Sequence, residues 1–274
     1  MTRRVPRLAA LALLGATVLS SALAPPALAA QDAPPPPVSW FFELEVPPAN
    51  QLAFNSAMEE WMERVAEDGE TWVWNVFEAV TGPSEYVVMT PFHDFADFDR
   101  GPIVDQSRQE DNNEWFAENM APTVTDVHSR MMMLNADWSV PYAGDEPPPL
   151  WQVIEYEWTD NSTEAYLAVG NVMGKVKEAF EAMLAEAPAD AGPMAYNIFE
   201  LMYGDGPGGV LIALPLMDFA SLDGGDPLGF FDGMAATHGH EDAVMIDRTL
   251  SKYLKPVSAN IYAHRMDLSY DPGM

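Results

Sequence analysis

The chain has 274 residues, 48% of them hydrophobic and 11% aromatic, enough apolar side chain to bury a core, and its length suits one large or two small domains of about 100–150 residues each. Acidic residues outnumber basic ones 42 to 13, for a formal charge of −29, which excludes nucleic acid and other partners gripped through phosphates, because such contacts need clustered Lys and Arg. The absence of cysteine excludes disulfides, thiolate metal sites, a cysteine nucleophile and a lipid attached through an N-terminal cysteine.

In chain order, Arg3, Arg4 and Arg7 precede an apolar run from Leu8 to Leu23, and Ala27-Leu28-Ala29 follows with small residues. This pattern predicts a secretory signal peptide over residues 1–29 and a secreted or periplasmic protein. The run is short for a bilayer span of about 20 residues, and Pro25-Pro26 interrupts it. No later stretch is apolar enough to span, so no membrane association is expected after cleavage. Residues 30–37, with Pro34 to Pro37 in succession, predict a stiff Pro-rich leader.

From residue 38 onward the chain contains one unit twice. Glu43-Leu44-Glu45-Val46 recurs as Glu155-Tyr156-Glu157-Trp158. Trp74-Asn75-Val76-Phe77-Glu78 recurs as Tyr196-Asn197-Ile198-Phe199-Glu200. Pro91 with Asp94-Phe95-Ala96 recurs as Pro215 with Asp218-Phe219-Ala220, and Asp137-Trp138-Ser139 as Asp267-Leu268-Ser269. Matches in one order mark a duplication.

The first copy, 38–141, predicts a strand at 39–46 and a helix at 49–68 with Leu52, Met58, Trp61, Met62 and Val65 on its apolar stripe. Strands at 72–81 and 85–91 follow, separated by the Gly82-Pro83 turn, then a two-piece helical region at 94–121 and a closing strand at 127–138. Residues 142–149, with Pro147-Pro148-Pro149, predict a linker. The second copy, 150–270, repeats the order at 151–158, 162–187, 194–203, 209–215, 227–252 and 257–269. The order β-α-β-β-α-β is the split βαβ, ferredoxin-like unit, an antiparallel sheet with both helices on one face. Tyr86-Val87-Val88-Met89 and Val210-Leu211-Ile212-Ala213-Leu214 are apolar at every position, which predicts burial on both faces. Helices cover one face, and the other copy's sheet is the economical cover for the second.

This order and duplication, over about residues 38–270, resemble the dimeric α/β-barrel proteins, a group that includes antibiotic-biosynthesis-type monooxygenases, EthD-like and NIPSNAP-like proteins and the haem-binding chlorite dismutase group. The strand ending in Pro91 or Pro215 followed by Asp-Phe-Ala is similar to the strand-to-helix transition of such proteins. The fold class is therefore expected to be α+β: two tandem ferredoxin-like (βαββαβ) repeats packed sheet to sheet as an intrachain dimeric-type α/β barrel. The resemblance implies ligands between a sheet and its helices or in the barrel. It implies fold far better than reaction.

The first strands carry the clearest chemical signal. Phe41, Glu43 and Glu45 alternate with Phe42, Leu44 and Val46, and Val153, Glu155 and Glu157 with Ile154, Tyr156 and Trp158. The apolar members should face helices, so four glutamates are expected to face the opposite sheet. Enclosed carboxylates must be protonated, paired or bound to a cation, and with few Lys and Arg the expectation is shared protons or a cation, or a wet barrel mouth that solvates them. Asn75 and Asn197 occupy matching places with Phe77 and Phe199 and are candidate ligand contacts, although amides present in both copies also suit a structural hydrogen bond. In some members of the group an Asn serves the pocket, but from the first strand, where this chain has Glu43 or Glu155, so no catalytic role carries over. His264, on the last strand with Tyr262 and Met266, is the remaining candidate contact.

Other motifs read as structure. Asp94 and Asp218 are expected helix N-caps. Met131-Met132-Met133 alternates across a strand and cannot form one copper site. His238-Gly239-His240 reads as an acidic loop, though the resemblance makes either histidine the formal candidate for a proximal haem ligand. No metal or cofactor is expected. Together these features predict an exported, soluble protein, monomer or homodimer, that binds a small apolar or aromatic molecule through Glu43, Glu45, Glu155, Glu157, Asn75, Asn197 and His264. A cofactor-independent or haem-linked oxygenase and an envelope protein–protein interaction module are the alternatives.

Overall fold

A computed structural model describes residues 37–100, 108–142, 144, 147–187, 195–204, 209–222 and 230–273. The expected signal peptide and nearly all of the leader lie outside the described residues. The first repeat contains β1 (Val38–Glu45), α1 (Gln51–Glu67), β2 (Asn75–Ala79), β3 (Glu85–His93), α2 (Phe95–Arg100), α3 (Gln109–Asn119) and β4 (Asp126–Leu134). The second contains β5 (Leu150–Trp158), α4 (Thr163–Glu186), β6 (Asn197–Gly204), β7 (Gly209–Leu216), α5 (Phe230–His238), α6 (His240–Tyr253) and β8 (Leu254–His264).

The strands form one closed antiparallel barrel in the order β1-β3-β2-β8-β5-β7-β6-β4. Within each repeat the first strand is central, β1 between β3 and β4 and β5 between β7 and β8. The two sheets join at both edges, where Phe77 of β2 lies opposite His264 of β8 and Met132 of β4 opposite Leu201 of β6. Closure leaves no open edge for pairing with another chain.

Alternation along the strands sorts side chains into three cores. Leu44, Val46, Val76, Tyr86 and Val88 point outward and pack with Phe54, Met58 and Met62 of α1 and Trp115 of α3. Val210, with Ile198, packs against Val169, Val172, Val176 and Phe180 of α4 and Ala243 and Ile246 of α6. Phe41, Met132, Phe199, Leu211 and Ala213 point inward, joined by Val87, Met89, Trp151 and Val153. The strands that are apolar at every position are thus buried on both faces, as expected.

Several boundaries differ from expectation for physical reasons. A 3-10 turn over Pro48–Asn50 precedes α1, and this turns Leu52 outward to 85% exposure while Phe54 enters the core. Gly239, at φ +90, breaks the second helical region between α5 and α6, a backbone angle that suits glycine. Asp94 caps as expected: its Oδ1 accepts from the Asp97 amide at 2.9 Å, and Asp218 likewise accepts from the Ser221 amide at 3.0 Å.

The last strands, β4 and β8, are shorter than the sequence suggests because the residues after them leave the sheet and dock on the other repeat. Ser139 Oγ accepts from the Ile198 amide and Ser269 Oγ from the Val76 amide, both at 2.9 Å. Val140 bridges to Tyr196 and Tyr270 to Trp74. The repeats are therefore tied together by reciprocal tails as well as by shared strand edges.

Candidate functional site

The inward side chains do not fill the barrel. A hollow of about 280 Å³ remains, walled by Phe41, Phe77, Val87, Met89, Trp151, Val153, Phe199, Leu211 and Ala213. Polar groups meet it at two places. At the first, the Arg130 guanidinium of β4 donates to Glu43 of β1 and to Glu155 of β5, joining the two repeats through one cation. Ser258 Oγ of β8 donates to the other Glu155 oxygen at 3.2 Å. Burial raises the Glu43 pKa against the pull of Arg130, and the nearby Glu155 and Glu85 charges push the same way. Arg130 is itself held above its ordinary value: burial works against the charge, and the two glutamates outweigh it.

At the second place, Tyr262 of β8 donates its hydroxyl to Glu85 of β3. Burial first, then that carboxylate, pushes the phenol well above its usual range, so it stays a donor at any ordinary pH. Asn197 and Asn260 complete the polar lining. The ion-paired group at Arg130 also borders a second hollow of about 280 Å³, which reaches His128, Glu157 and Val257.

The sequence-predicted residues separate accordingly. Glu43, Glu155 and Asn197 line the main hollow, and Glu157 lines the second. Glu45 does not converge with them: it ends β1, opposite Glu85 and Asp126, and is exposed. Asn75 is not among the lining residues. His264 stacks on Phe77 with ring centroids 4.9 Å apart, on the same inner face of the barrel but outside the lining of the hollow. Burial lowers its pKa, and its Nδ1 has no hydrogen-bond partner among the described residues. The expectation of shared protons or a bound cation between the glutamates is corrected, because the cation is Arg130. Sequence reading also missed Glu85, Tyr262 and Asn260. Arg130 and Asn260 are equivalent in the duplication, lying opposite Phe41 and Val153 respectively, so alignment of the last strands carried the signal.

A further pocket of about 680 Å³ lies between the second sheet and its helices, lined by Tyr156, Phe180, Ile198, Ile212 and Leu254 among others. Tyr196 lines it at 4% exposure, and its hydroxyl has no hydrogen-bond partner among the described residues. Elsewhere, Thr90 Oγ1 lies 2.6 Å from His93 Nε2, and Asp97 lies 3.5 Å from His93 Nδ1. That order copies a nucleophile, base and acid. Thr90 is fully buried, so the arrangement ties β3 to α2 and offers a substrate no approach.

Haem does not fit the residues present. His238 Nε2 sits 2.8 Å from the Lys175 carbonyl, His240 is exposed at the start of α6, and neither lines the pocket between sheet and helices. Among the described residues no cluster of three His, Asp or Glu side chains is disposed to hold a metal ion, and no helix is long and apolar enough to cross a membrane.

Two ferredoxin-like units closing one eight-stranded barrel define the dimeric α/β-barrel fold, here completed within a single chain. No protein-family model and no curated protein matches the sequence. Among solved structures the chain is similar to a candidate monooxygenase from Lactobacillus acidophilus, at 10% identity over 87% of this chain and 97% of that one, with a TM-score of 0.50. It is also similar to an anthrone oxidase-like protein, at 11% identity over 88% and 95%, with a TM-score of 0.53. At these identities the likeness shows the fold alone, and it agrees with the group the sequence resembles.

Proposed function

We propose that the protein binds a small, largely apolar or aromatic molecule inside its barrel. The observation that supports this reading is the hollow of about 280 Å³, with aromatic and aliphatic walls and polar groups at two places. Such a composition is typical of small-molecule sites. An apolar cavity of roughly 150 Å³ holds benzene, so this volume suits one ring with a short substituent. Glu43, Glu155 and Asn197 supply polar contacts from the predicted set. Trp151, in the wall, is the reporter: aromatic probes should change its fluorescence saturably, and the change should disappear in Ala213→Leu, which fills the hollow. Unsaturable responses, or identical responses in both proteins, would count against the reading.

A second reading rests on Tyr196. Tyr196 lines the larger pocket beside the second sheet, and its buried hydroxyl, without a partner among the described residues, suits a phenolic or ketonic substrate oxygen. The names of the similar structures, a monooxygenase and an anthrone oxidase-like protein, make oxidation of such a substrate by dioxygen the reaction to test. Oxygen uptake with anthrone, reduced in Tyr196→Phe, supports it, and no uptake above a protein-free control removes it.

Export is part of the same proposal. N-terminal sequencing of the protein from culture medium or periplasm should begin near Ala30. A chain retained in the cytoplasm with residues 1–29 attached would contradict it.

A further inference from the structure

Resting on the reading of the barrel hollow as the binding site, we infer that its ligand carries one positive charge, as a protonated amine on an aromatic or aliphatic body. Three carboxylates, Glu43, Glu85 and Glu155, meet this hollow, and one guanidinium, Arg130, answers them. Arg130 is already committed to both Glu43 and Glu155. Glu85 has the Tyr262 hydroxyl as a donor, which satisfies a lone pair but neutralises nothing.

With all three carboxylates ionised the surplus is two negative charges. With Glu43 neutral, the direction in which burial drives it, Arg130 and Glu155 balance and the surplus is the single charge of Glu85. In either state uncompensated negative charge lines a hollow whose Glu85 is half-buried, where it is less well solvated than on the open surface and carries a cost. A carboxylate ligand would add to that cost and a neutral one would leave it standing. A monocation cancels it when Glu43 is neutral and halves it when all three carboxylates are ionised. The rings of Phe41, Phe77, Phe199 and Trp151 reinforce the preference, since aromatic faces attract cations. The chain's charge of −29 adds a field that concentrates cations around the whole molecule.

The test uses the full-length protein and three probes that share a ring and spacer: 2-phenylethylammonium, 2-phenylethanol and phenylacetate, each titrated against Trp151 fluorescence and by calorimetry. The ammonium probe should bind at least about tenfold more tightly than the alcohol, with the acid weakest. Glu85→Gln should bring ammonium and alcohol to within about threefold of each other. The wild-type comparison stands without the variant should Glu85→Gln misfold. Alcohol or acid binding as tightly as the ammonium probe overturns the monocation inference and leaves the cavity reading intact. Absence of saturable binding by all three overturns the cavity reading itself.

Discussion

Trp138 and Leu268 stand at equivalent positions of the two repeats, and each is buried in the core of the other repeat. The exchange makes the halves interdependent, because neither outer core is complete without a residue from its sibling. Leu268→Ala removes a fully buried side chain and should cost about 2–5 kcal/mol. Urea unfolding followed separately by tryptophan fluorescence and far-ultraviolet dichroism should still give coincident transitions. Two separated transitions would show that the halves fold independently.

The interior ion pairs give a sharper expectation. Arg130→Met leaves Glu43 and Glu155 facing one another without a cation and should cost about 3 kcal/mol, whereas the combined Glu43→Gln, Arg130→Met, Glu155→Gln protein should lie within about 1 kcal/mol of the original. Chemical denaturation of both proteins measures the difference. A neutral effect of Arg130→Met would mean that water, and not the guanidinium, solvates these carboxylates.

Stability should fall as pH rises from mildly acidic to mildly basic. Burial is the first cause raising the pKa of Glu43, Glu70 and Glu200 above the ordinary 4.5, so the folded chain binds more protons than the unfolded chain just above that value. Their unfavourable contribution grows as pH rises through the raised values. Asp267, held below the ordinary 3.8 first by its Arg265 hydrogen bond, acts in the opposite sense only in stronger acid, and His93 and His264, lowered from 6.5 first by burial, also oppose the trend below that value, two groups against three. The unfolding temperature should be higher at about pH 5 than at about pH 8, with a flatter profile in Glu43→Gln. A profile that rises over this range would contradict the assignment.

His264 offers a negative control. It stacks on Phe77 beyond the lining of the hollow, so His264→Phe preserves a ring in the stack and should leave probe affinity within about twofold of the original. A loss of tenfold or more, measured by the same fluorescence titration, would place His264 in the site.

The barrel was legible because a period of two survives in the strands: Glu43 and Glu155 alternate with outward apolar residues, and the duplicated motifs fix which strands correspond. The glutamates' partner was harder to see. Arg130 lies 87 residues from Glu43 and 25 from Glu155, on a strand where three consecutive methionines follow it, and only the closed register brings the three together. Glu45 shows the limit of alternation, which gives the face of a residue but not its height along the barrel. The exchanged tails were hidden for a related reason. The segments around Trp138 and Leu268 look like continuing strand, yet β4 and β8 stop at Leu134 and His264, and the tails beyond them bridge to Tyr196 and Trp74, just before the second strand of the opposite repeat.

Occupancy of the barrel by a monocation is tested most directly by diffraction from crystals soaked in 2-phenylethylammonium. Difference density should appear inside the barrel, with the ring between Phe41, Phe199 and Trp151 and the nitrogen at Glu85. A barrel filled by its own side chains, or a probe bound only elsewhere, would contradict it.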